Sequence, residues 1–159
     1  SGLVDDRSIV SDKLINCVKE NMSPAWTYNQ GIILGAAVEL HKATGNVGYL
    51  DQAKKTAYGA MQYVTSGGIL IEATDSSCGA CTGDERLFKG AFMRNLREFY
   101  GARKDETIGN FLRNNANSAY NKARTSDNYY GFRWNGPYDR KDAGRQTSAL
   151  DLMNAMIVL

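Results

Sequence analysis

The sequence predicts an all-α protein made of repeated antiparallel helical hairpins, and two patterns support this fold class. First, strongly apolar segments alternate with amphipathic ones, and both kinds carry apolar residues at the three- and four-residue steps of an α-helix. Second, the pattern repeats, because Gly31 and Gly90 are 59 positions apart, as are Glu39 and Glu98. Hairpins that repeat at a fixed period build solenoids or closed toroids. The alternative is ordinary helical packing with a coincidental spacing.

The first predicted hairpin begins with the segment from Trp26 to Lys42, whose apolar residues are interrupted by hardly any charge except Glu39. Such a segment is typical of an inner helix that is buried on most sides. After a turn at residues 44–46, the segment from Leu50 to Val64 places its apolar residues opposite Lys54. This amphipathic pattern predicts an outer helix with one face in solvent.

The second predicted hairpin joins an apolar helix from Leu87 to Phe99 to a more polar helix from Ile108 to Ala119. Before it come a short extended run from Ile69 to Glu72, introduced by two glycines, and a polar loop at residues 74–83. As in the first hairpin, an apolar helix is followed by a more polar one.

A long loop from Ser126 to Arg145 precedes a closing apolar helical stretch from Thr147 to Leu159, which has no visible partner helix. Ala149 in this stretch lies another 59 positions after Gly90. The chain therefore holds roughly two and a half copies of the repeated unit.

Composition excludes several classes of protein. The 19 basic and 17 acidic residues give a net charge of only +2, which argues against nucleic-acid binding. No apolar run approaches the length of roughly 18 residues that a membrane span needs. The absence of an initiator Met predicts a processed product or a fragment, and the sequon at Asn21, although weakened by Pro24, is compatible with secretion.

A cluster of polar and aromatic residues, Trp26 to Gly31, opens the first inner helix. It offers a ring for stacking, three hydrogen-bonding side chains and a glycine, which suits the apolar face and the hydroxyl edge of a sugar. The same residues could equally belong to the core. A second concentration of rings lies at residues 129–138, where five aromatic side chains either plug the end of the molecule or line a sugar cleft.

Several sequence blocks resemble the endo-α-1,6-mannanases of glycoside hydrolase family 76 over nearly the whole chain. The WTYNQG block and the FKG block are the most specific of them. The blocks that carry the resemblance lie, in chain order, at residues 26–35, 38–40, 43–45, 49–54, 68–70, 88–90, 92–96 and 146–151.

The resemblance implies an (α/α)6 toroid whose central cleft hydrolyses α-1,6-linked mannan with a pair of adjacent aspartates. The family chains are longer, and their C-terminal part matches this sequence. We therefore expect residues 1–159 to form a partial toroid that lacks the N-terminal hairpins and the helix bearing the catalytic pair. The expected partners are a mannose-containing polysaccharide or oligosaccharide and the missing N-terminal half. The resemblance also implies a secreted or cell-wall-associated protein.

The catalytic residues are left unknown, and neither a cofactor nor a metal is expected. The predicted substrate contacts combine the polar residues of the WTYNQG and FKG blocks with an arginine and a loop tryptophan. They are Tyr28, Asn29, Gln30, Lys89, Arg94 and Trp134.

Other acidic residues are weaker candidates for catalysis. Glycoside hydrolysis needs two rigidly held carboxyl groups, about 5–5.5 Å apart for retention or about 6.5–9.5 Å apart for inversion. Asp5 and Asp6 lie in a segment without a helical pattern. The pair Asp84-Glu85 is expected to cap a helix. Asp139 and Asp142 could touch sugar, although solvated loop carboxylates are more common.

The cysteines and the single histidine do not indicate a metal site. Cys78 and Cys81 have the spacing of a zinc knuckle, but zinc needs four ligands, and only Cys17 and His41 remain. A disulfide, either local or to Cys17, is favoured. His41 near the end of its helix suits the helix dipole better than catalysis.

Two other classes of function remain open. The chain could be a non-catalytic carbohydrate-binding module that keeps the aromatic and amide contacts. It could also be a helical scaffold, since two and a half repeats leave inner helices uncovered for another protein.

Overall fold

The computed structural model describes residues 2–19, 24–75 and 81–159, and most of them are helical. Two short antiparallel hairpins, β1 paired with β2 and β3 with β4, accompany the helices. The elements are β1 Leu14–Ile15, β2 Val18–Lys19, α1 Thr27–Thr44, α2 Gly48–Tyr63, β3 Thr65–Ser66, β4 Ile69–Leu70, α3 Glu85–Ala102, α4 Glu106–Lys122 and α5 Ala143–Ala155, followed by a 3-10 turn at Met156–Val158.

The helices form an inner layer of α1, α3 and α5 and an outer layer of α2 and α4. In the inner layer α1 packs against α3 and α3 packs against α5, while α2 packs mainly on α1. Connections of three residues after α1 and α3 make each hairpin antiparallel. The inner helices are parallel, because Tyr28 meets Phe88 near the start of α1 and α3 and Gly31 meets Phe92 one turn later.

The 59-residue repeat has a direct structural cause. A Cβ atom added to Gly31 would lie 2.5 Å from the Cα of Phe92, and one added to Gly90 would lie 2.6 Å from the Cα of Ser148. Each glycine thus allows an inner helix to approach the backbone of the next one. Ala149, the third position of the repeat, is fully buried. The predicted hairpin repeat is confirmed.

Helix ends follow ordinary capping rules at several sites. Gly45, which ends α1, has a φ of 71°, a left-handed conformation that glycine adopts without strain. The carboxylate of Asp105 accepts hydrogen bonds from the backbone N–H groups of Thr107 and Ile108 at the start of α4. By contrast, the side chain of Asp84 makes no capping bond to α3, so the part of the predicted Asp84-Glu85 cap that rests on Asp84 is wrong. Glu85 accepts a hydrogen bond from the backbone N–H of Gly83 at 3.0 Å, just before the helix.

The first half of the extended run predicted from Ile69 to Glu72 is strand β4, Ile69–Leu70. It is the second strand of a hairpin that turns at Gly67 and Gly68, both of which have positive φ. Leu70 is fully buried, and its backbone N–H donates to the side chain of Asn115 on α4. This contact connects the hairpin to an outer helix.

The last helix is followed by no outer helix of its own among the described residues, but it packs on the preceding hairpin. Helix α5 packs against α3 and, less extensively, α4, and its α-helical part ends at Ala155 rather than at Leu159. The side chains of Tyr130, Phe132 and Trp134 in the preceding loop are buried. Of the two roles considered for this aromatic loop, the structure supports a plug.

Cys81 is disulfide-bonded, whereas Cys17 is free and exposed, which excludes a bond between these two. Cys78 and the sequon at Asn21 lie outside the described residues. No helix in the described ranges is long and apolar enough to cross a membrane.

Candidate carbohydrate-binding site

The parallel inner helices bring their N-terminal ends to one end of the molecule, together with the loops that precede them. Tyr28 and Asn29 lie in the first turn of α1 and are both partly exposed. Their side chains donate hydrogen bonds to the same oxygen of Asp12, Oδ1, and the bond from Asn29 is 2.9 Å long. The three residues therefore form one polar unit on the surface.

The electrostatics of this unit favour an ionised carboxylate. The hydrogen bond from Asn29, followed by that from Tyr28, lowers the pKa of Asp12 below its usual value. The same interaction raises the pKa of Tyr28, because the phenol donates to a carboxylate. Asp12 thus presents a negative acceptor at neutral pH, fixed in place by two donors.

An aromatic surface adjoins the carboxylate. The ring centroid of Phe88 on α3 lies 4.4 Å from that of Tyr28 and 5.5 Å from that of Trp26, and all three side chains are partly exposed. Rings beside a carboxylate and an amide provide the two kinds of contact that a sugar needs, since its ring is apolar on one face and carries hydroxyl groups at the edge. We call Asp12, Trp26, Tyr28, Asn29 and Phe88 the Tyr28 cluster.

Gln30 is placed differently from its neighbours. Its side chain is fully buried and accepts a hydrogen bond from the backbone N–H of Val10 at 2.8 Å. Its amide nitrogen donates to the carbonyl groups of Val10 and Trp26. Gln30 therefore attaches the N-terminal loop to α1, and this burial corrects the expectation that it contacts a ligand.

Lys89 and Trp134 come together as the sequence suggested, but in the interior. Each is 1% exposed, and the Lys89 ammonium lies 5.1 Å from the ring centroid of Trp134. Lys89 donates to the carbonyl oxygen of Phe132 at 2.6 Å. Burial lowers the pKa of Lys89, although nearby carboxylates oppose this effect. Neither side chain can touch a ligand in this arrangement, so both expectations are corrected.

Arg94 is exposed, as a ligand contact must be, but it lies away from the Tyr28 cluster. It is six residues beyond Phe88 on α3, which corresponds to about 9 Å along the helix. Its guanidinium pairs with Asp151 on α5 at 3.2 Å. Arg94 thus links two inner helices on the exposed side.

A buried carboxyl group supports the start of α1. Glu72 is 1% exposed and accepts hydrogen bonds from the hydroxyl and the backbone N–H of Thr27 and from the backbone N–H of Ala73. Burial raises the pKa of Glu72 to about 7, against the opposing effect of these bonds and of Lys89. Asp75 accepts from the backbone N–H of Glu72 at 2.9 Å and lies 3.4 Å from the Lys89 ammonium. These groups connect α1, α3 and the loop between them beneath the Tyr28 cluster.

The two loop aspartates pair with an arginine. Asp139 receives a hydrogen bond from Arg145 at 2.9 Å, and Asp142 caps α5 and contacts the same guanidinium. Burial acts to raise the pKa values of both carboxyl groups, but hydrogen bonds to Arg145 hold these pKa values below their usual range. Arg145 also donates to the carbonyl group of Cys81 and so fastens two loops to α5.

The other candidate groups also have structural partners. Asp5 accepts from Arg7 and from the backbone of Ile9 within a loop turn. His41 lies in the last turn of α1, with Nδ1 3.2 Å from the carbonyl oxygen of Asn46. Among the described residues, no group of three or more His, Cys, Asp and Glu side chains is arranged to hold a metal ion.

Sequence reasoning missed Asp12 and the buried Glu72, and it placed Phe88 in an apolar helix and in a resembling block but not among the ligand contacts. Asp12 carries no local signal, since its partners are 16 and 17 residues away on another element. Glu72 ended an apolar extended run, and the Ile-Leu-Ile before it was the available hint that its side chain could be buried.

Curated relatives share this sequence over part of their length. The chain is 26% identical to the mannan endo-1,6-alpha-mannosidase DFG5 of Saccharomyces cerevisiae over 151 residues, which cover 84% of this chain and 31% of that protein. It is 31% identical to the mannan endo-1,6-alpha-mannosidase DCW1 of the same organism over 145 residues, with coverages of 87% and 32%.

Solved structures share the fold. One of them is the α-1,6-mannanase GH76A of Salegentibacter sp. HEL1_6, solved as an inactive variant with two successive aspartates replaced and in complex with α-1,6-mannotetrose. It is 29% identical to this chain with a TM-score of 0.81, and the match covers 99% of this chain and 48% of that one. The Lin0763 protein of Listeria innocua is 25% identical with a TM-score of 0.83, and coverages are 98% and 44%. The predicted α/α-toroid fold class is confirmed.

The chain thus spans about a third of the length of these curated relatives and about half of these solved structures. The family profile described as Glycosyl hydrolase family 76 matches residues 1–159, the whole of this sequence. This protein chain belongs to glycosyl hydrolase family 76.

Proposed function

We propose that this chain forms one side of the substrate cleft of a glycosidase that acts on α-1,6-linked mannan, and that the Tyr28 cluster contacts the mannose residues. The observation that carries the proposal is the family match over residues 1–159, combined with a cluster of partly exposed rings, an amide and a carboxylate where the inner helices begin. Relatives named as mannan endo-1,6-alpha-mannosidases and a relative in complex with α-1,6-mannotetrose support the substrate class.

The catalytic acids of this proposed enzyme lie outside the 159 residues. Hydrolysis of a glycosidic bond needs two accessible carboxyl groups on either side of it. Asp12 supplies one accessible carboxyl group in the Tyr28 cluster. The loop carboxylates of Asp139 and Asp142 are engaged by Arg145, whereas Glu72 is buried and Asp5 belongs to a turn. In the Salegentibacter relative, the inactive variant lacks two successive aspartates, and the matched region is only 48% of that chain.

Further helical hairpins complete the proposed cleft. Ile32 and Leu40 on α1 are 53% and 45% exposed, which is unusual for apolar side chains of an inner helix. They lie on one face at helical spacing, together with Ala36. We assign this face to contact with hairpins of the toroid beyond these residues, rather than to an unrelated protein. The disulfide at Cys81 suits an oxidising compartment, so secretion or cell-wall association belongs to the same proposal.

Calorimetric titration with α-1,6-mannotriose tests the binding part of the proposal. The variants Tyr28→Ala and Asn29→Ala should each weaken binding by at least about fivefold, since each removes a stacking or hydrogen-bonding contact. Tyr58→Ala is the matched control, because Tyr58 is an exposed tyrosine on the outer helix α2. Equal affinities for wild type and both cluster variants would contradict the proposed contacts.

Incubation with α-1,6-mannan tests the assignment of catalysis. The 159-residue chain should release no reducing ends, because it is proposed to lack the acid pair. Hydrolysis by this chain alone would show that the assignment is wrong.

A further inference from the structure

A groove of about 300 Å³ lies between α4 and the β3–β4 hairpin and shares no lining residue with the Tyr28 cluster. We call it the amide groove, because asparagine side chains dominate its wall. It is lined by Gly67, Ile69, Asn114, Asn117, Ser118, Asn121 and Lys122.

The three asparagines form a row on one face of α4. Asn114, Asn117 and Asn121 are three and four residues apart, which places them next to one another along the helix surface. Asn121 donates to the backbone carbonyl group of Asn117 at 2.8 Å. The side-chain amides of Asn114 and Asn117 make no hydrogen bond to any residue that the structure describes, so they are free to bind a ligand.

This row is costly for the helix and needs a reason. Asparagine is a poor helix former, because its side chain competes for backbone hydrogen bonds. Asn115 on the same helix has a structural reason, since it is fully buried and bonds to Leu70, Gly68 and Phe111. The side chains of Asn114 and Asn117 have no such internal role among the described residues, and a ligand contact supplies one.

The groove is also fixed in shape without a ligand. Asn115 attaches the hairpin wall to α4 through a bond of 2.8 Å from the backbone of Leu70. On the other side, the hydroxyl of Ser118 donates to the carbonyl oxygen of Trp134 at 2.9 Å. A wall held in this way loses little conformational entropy when a ligand binds.

The chemistry of the lining points to a neutral ligand rich in hydroxyl groups. Each amide both donates and accepts, which matches a hydroxyl group that does the same. The lining contains no carboxylate and a single cation, Lys122, while Ile69 provides an apolar contact. The volume is at the lower end of the roughly 300–1,000 Å³ typical of small-molecule sites, so it suits a short segment of a sugar chain.

We propose that the amide groove is a second carbohydrate-binding site, which holds a short mannose-containing oligosaccharide on the outer layer of the molecule. The choice of mannose as the sugar rests on the proposed function, whereas the preference for a neutral polyhydroxylated ligand rests on the groove itself. Such a site would hold a polysaccharide chain to the protein independently of the cleft.

A site-resolved titration tests this proposal. α-1,6-Mannotriose is added to the isotope-labelled chain, and the side-chain amide signals of Asn114 and Asn117 are followed by NMR. They should shift in a saturable manner, and the double variant Asn114→Ala/Asn117→Ala should weaken binding at the groove by about tenfold, as expected for the loss of two hydrogen-bonding groups. Alanine favours the helix more than asparagine does, so the variant should remain folded.

Asn110→Ala is the matched control, because Asn110 is exposed on α4 but accepts a hydrogen bond from Arg113 and does not line the groove. This control and Tyr28→Ala should leave the groove affinity within about twofold of wild type. Shifts confined to the Tyr28 cluster would overturn the second site but keep the proposed function. Groove shifts of the same size with glycerol at equal concentration would also overturn the second site. No response at the amide groove or at the Tyr28 cluster would overturn both the second site and the proposed function.

Discussion

The buried carboxyl group of Glu72 makes the stability of this protein depend on pH in a direction opposite to that of a salt-bridged acid. Its pKa of about 7 in the folded protein lies above the ordinary value of 4.5, because burial disfavours the charged form. The folded state therefore binds a proton more tightly than the unfolded state does. The stabilising effect is complete below pH 4.5 and is lost as the pH rises through 7.

The size of the effect follows from the same two values. Each pH unit between them is worth about 1.4 kcal/mol, so the charged form of Glu72 lowers the free energy of unfolding by about 3 kcal/mol relative to the protonated form. Replacement by glutamine removes the titration but keeps the shape. The glutamine oxygen can accept from the N–H groups of Thr27 and Ala73, and the Thr27 hydroxyl can rotate to accept from the new amide.

Urea unfolding of wild type and Glu72→Gln, followed at pH 4.5 and pH 7.5, measures this difference. Wild type should lose about 3 kcal/mol more than the variant between these two pH values. Lys89 and Asp75 are present in both proteins, and the difference between the two pH profiles measures the titration of Glu72 together with its interaction with Lys89. Glu106→Gln is the matched control, since Glu106 is exposed in the first turn of α4, and it should behave as wild type does. Parallel pH profiles for wild type and Glu72→Gln would refute the reasoning.

Packing gives two further predictions, both read from urea midpoints. Gly31→Ala should lower the free energy of unfolding by about 1–3 kcal/mol, because the added Cβ meets the backbone of Phe92. The control Gly101→Ala, which has open space around it, should be neutral or stabilising. Equal effects of the two substitutions would show that α1 and α3 do not approach so closely. Trp134→Ala should lower the free energy of unfolding by about 3–5 kcal/mol, because the ring is buried. The control Tyr120→Ala should lower it far less, because Tyr120 is half-exposed on α4. A small loss of stability for Trp134→Ala would contradict the role of this loop as a plug.

The sequence predicted the helices and their layering because both depend on local periodicity. Apolar steps identified four of the helices closely, and the 59-residue spacing of Gly31 and Gly90 reflects the close approach of adjacent inner helices. A glycine at a helix crossing leaves this trace in the sequence because any side chain there would meet backbone. The pairing of β3 with β4 left a weaker trace, in the two glycines of its turn.

The candidate site was less predictable, since the role of a polar side chain depends on what faces it. Asn29 and Gln30 are adjacent in the sequence, yet Asn29 is partly exposed and Gln30 is fully buried against the loop at Val10. Nothing local separates the two. Trp134 similarly belongs to a loop whose rings could face a cleft or the interior, and only the packing against Lys89 decides between them.

A crystal structure of the chain with bound α-1,6-mannotetraose would test the central claim most directly. We expect a mannose ring to lie against Tyr28 and Phe88 where the inner helices begin, with a hydroxyl group within hydrogen-bonding distance of Asp12 or Asn29. A structure in which the sugar is ordered elsewhere, while the Tyr28 cluster carries none, would contradict the claim that this cluster forms part of the substrate cleft.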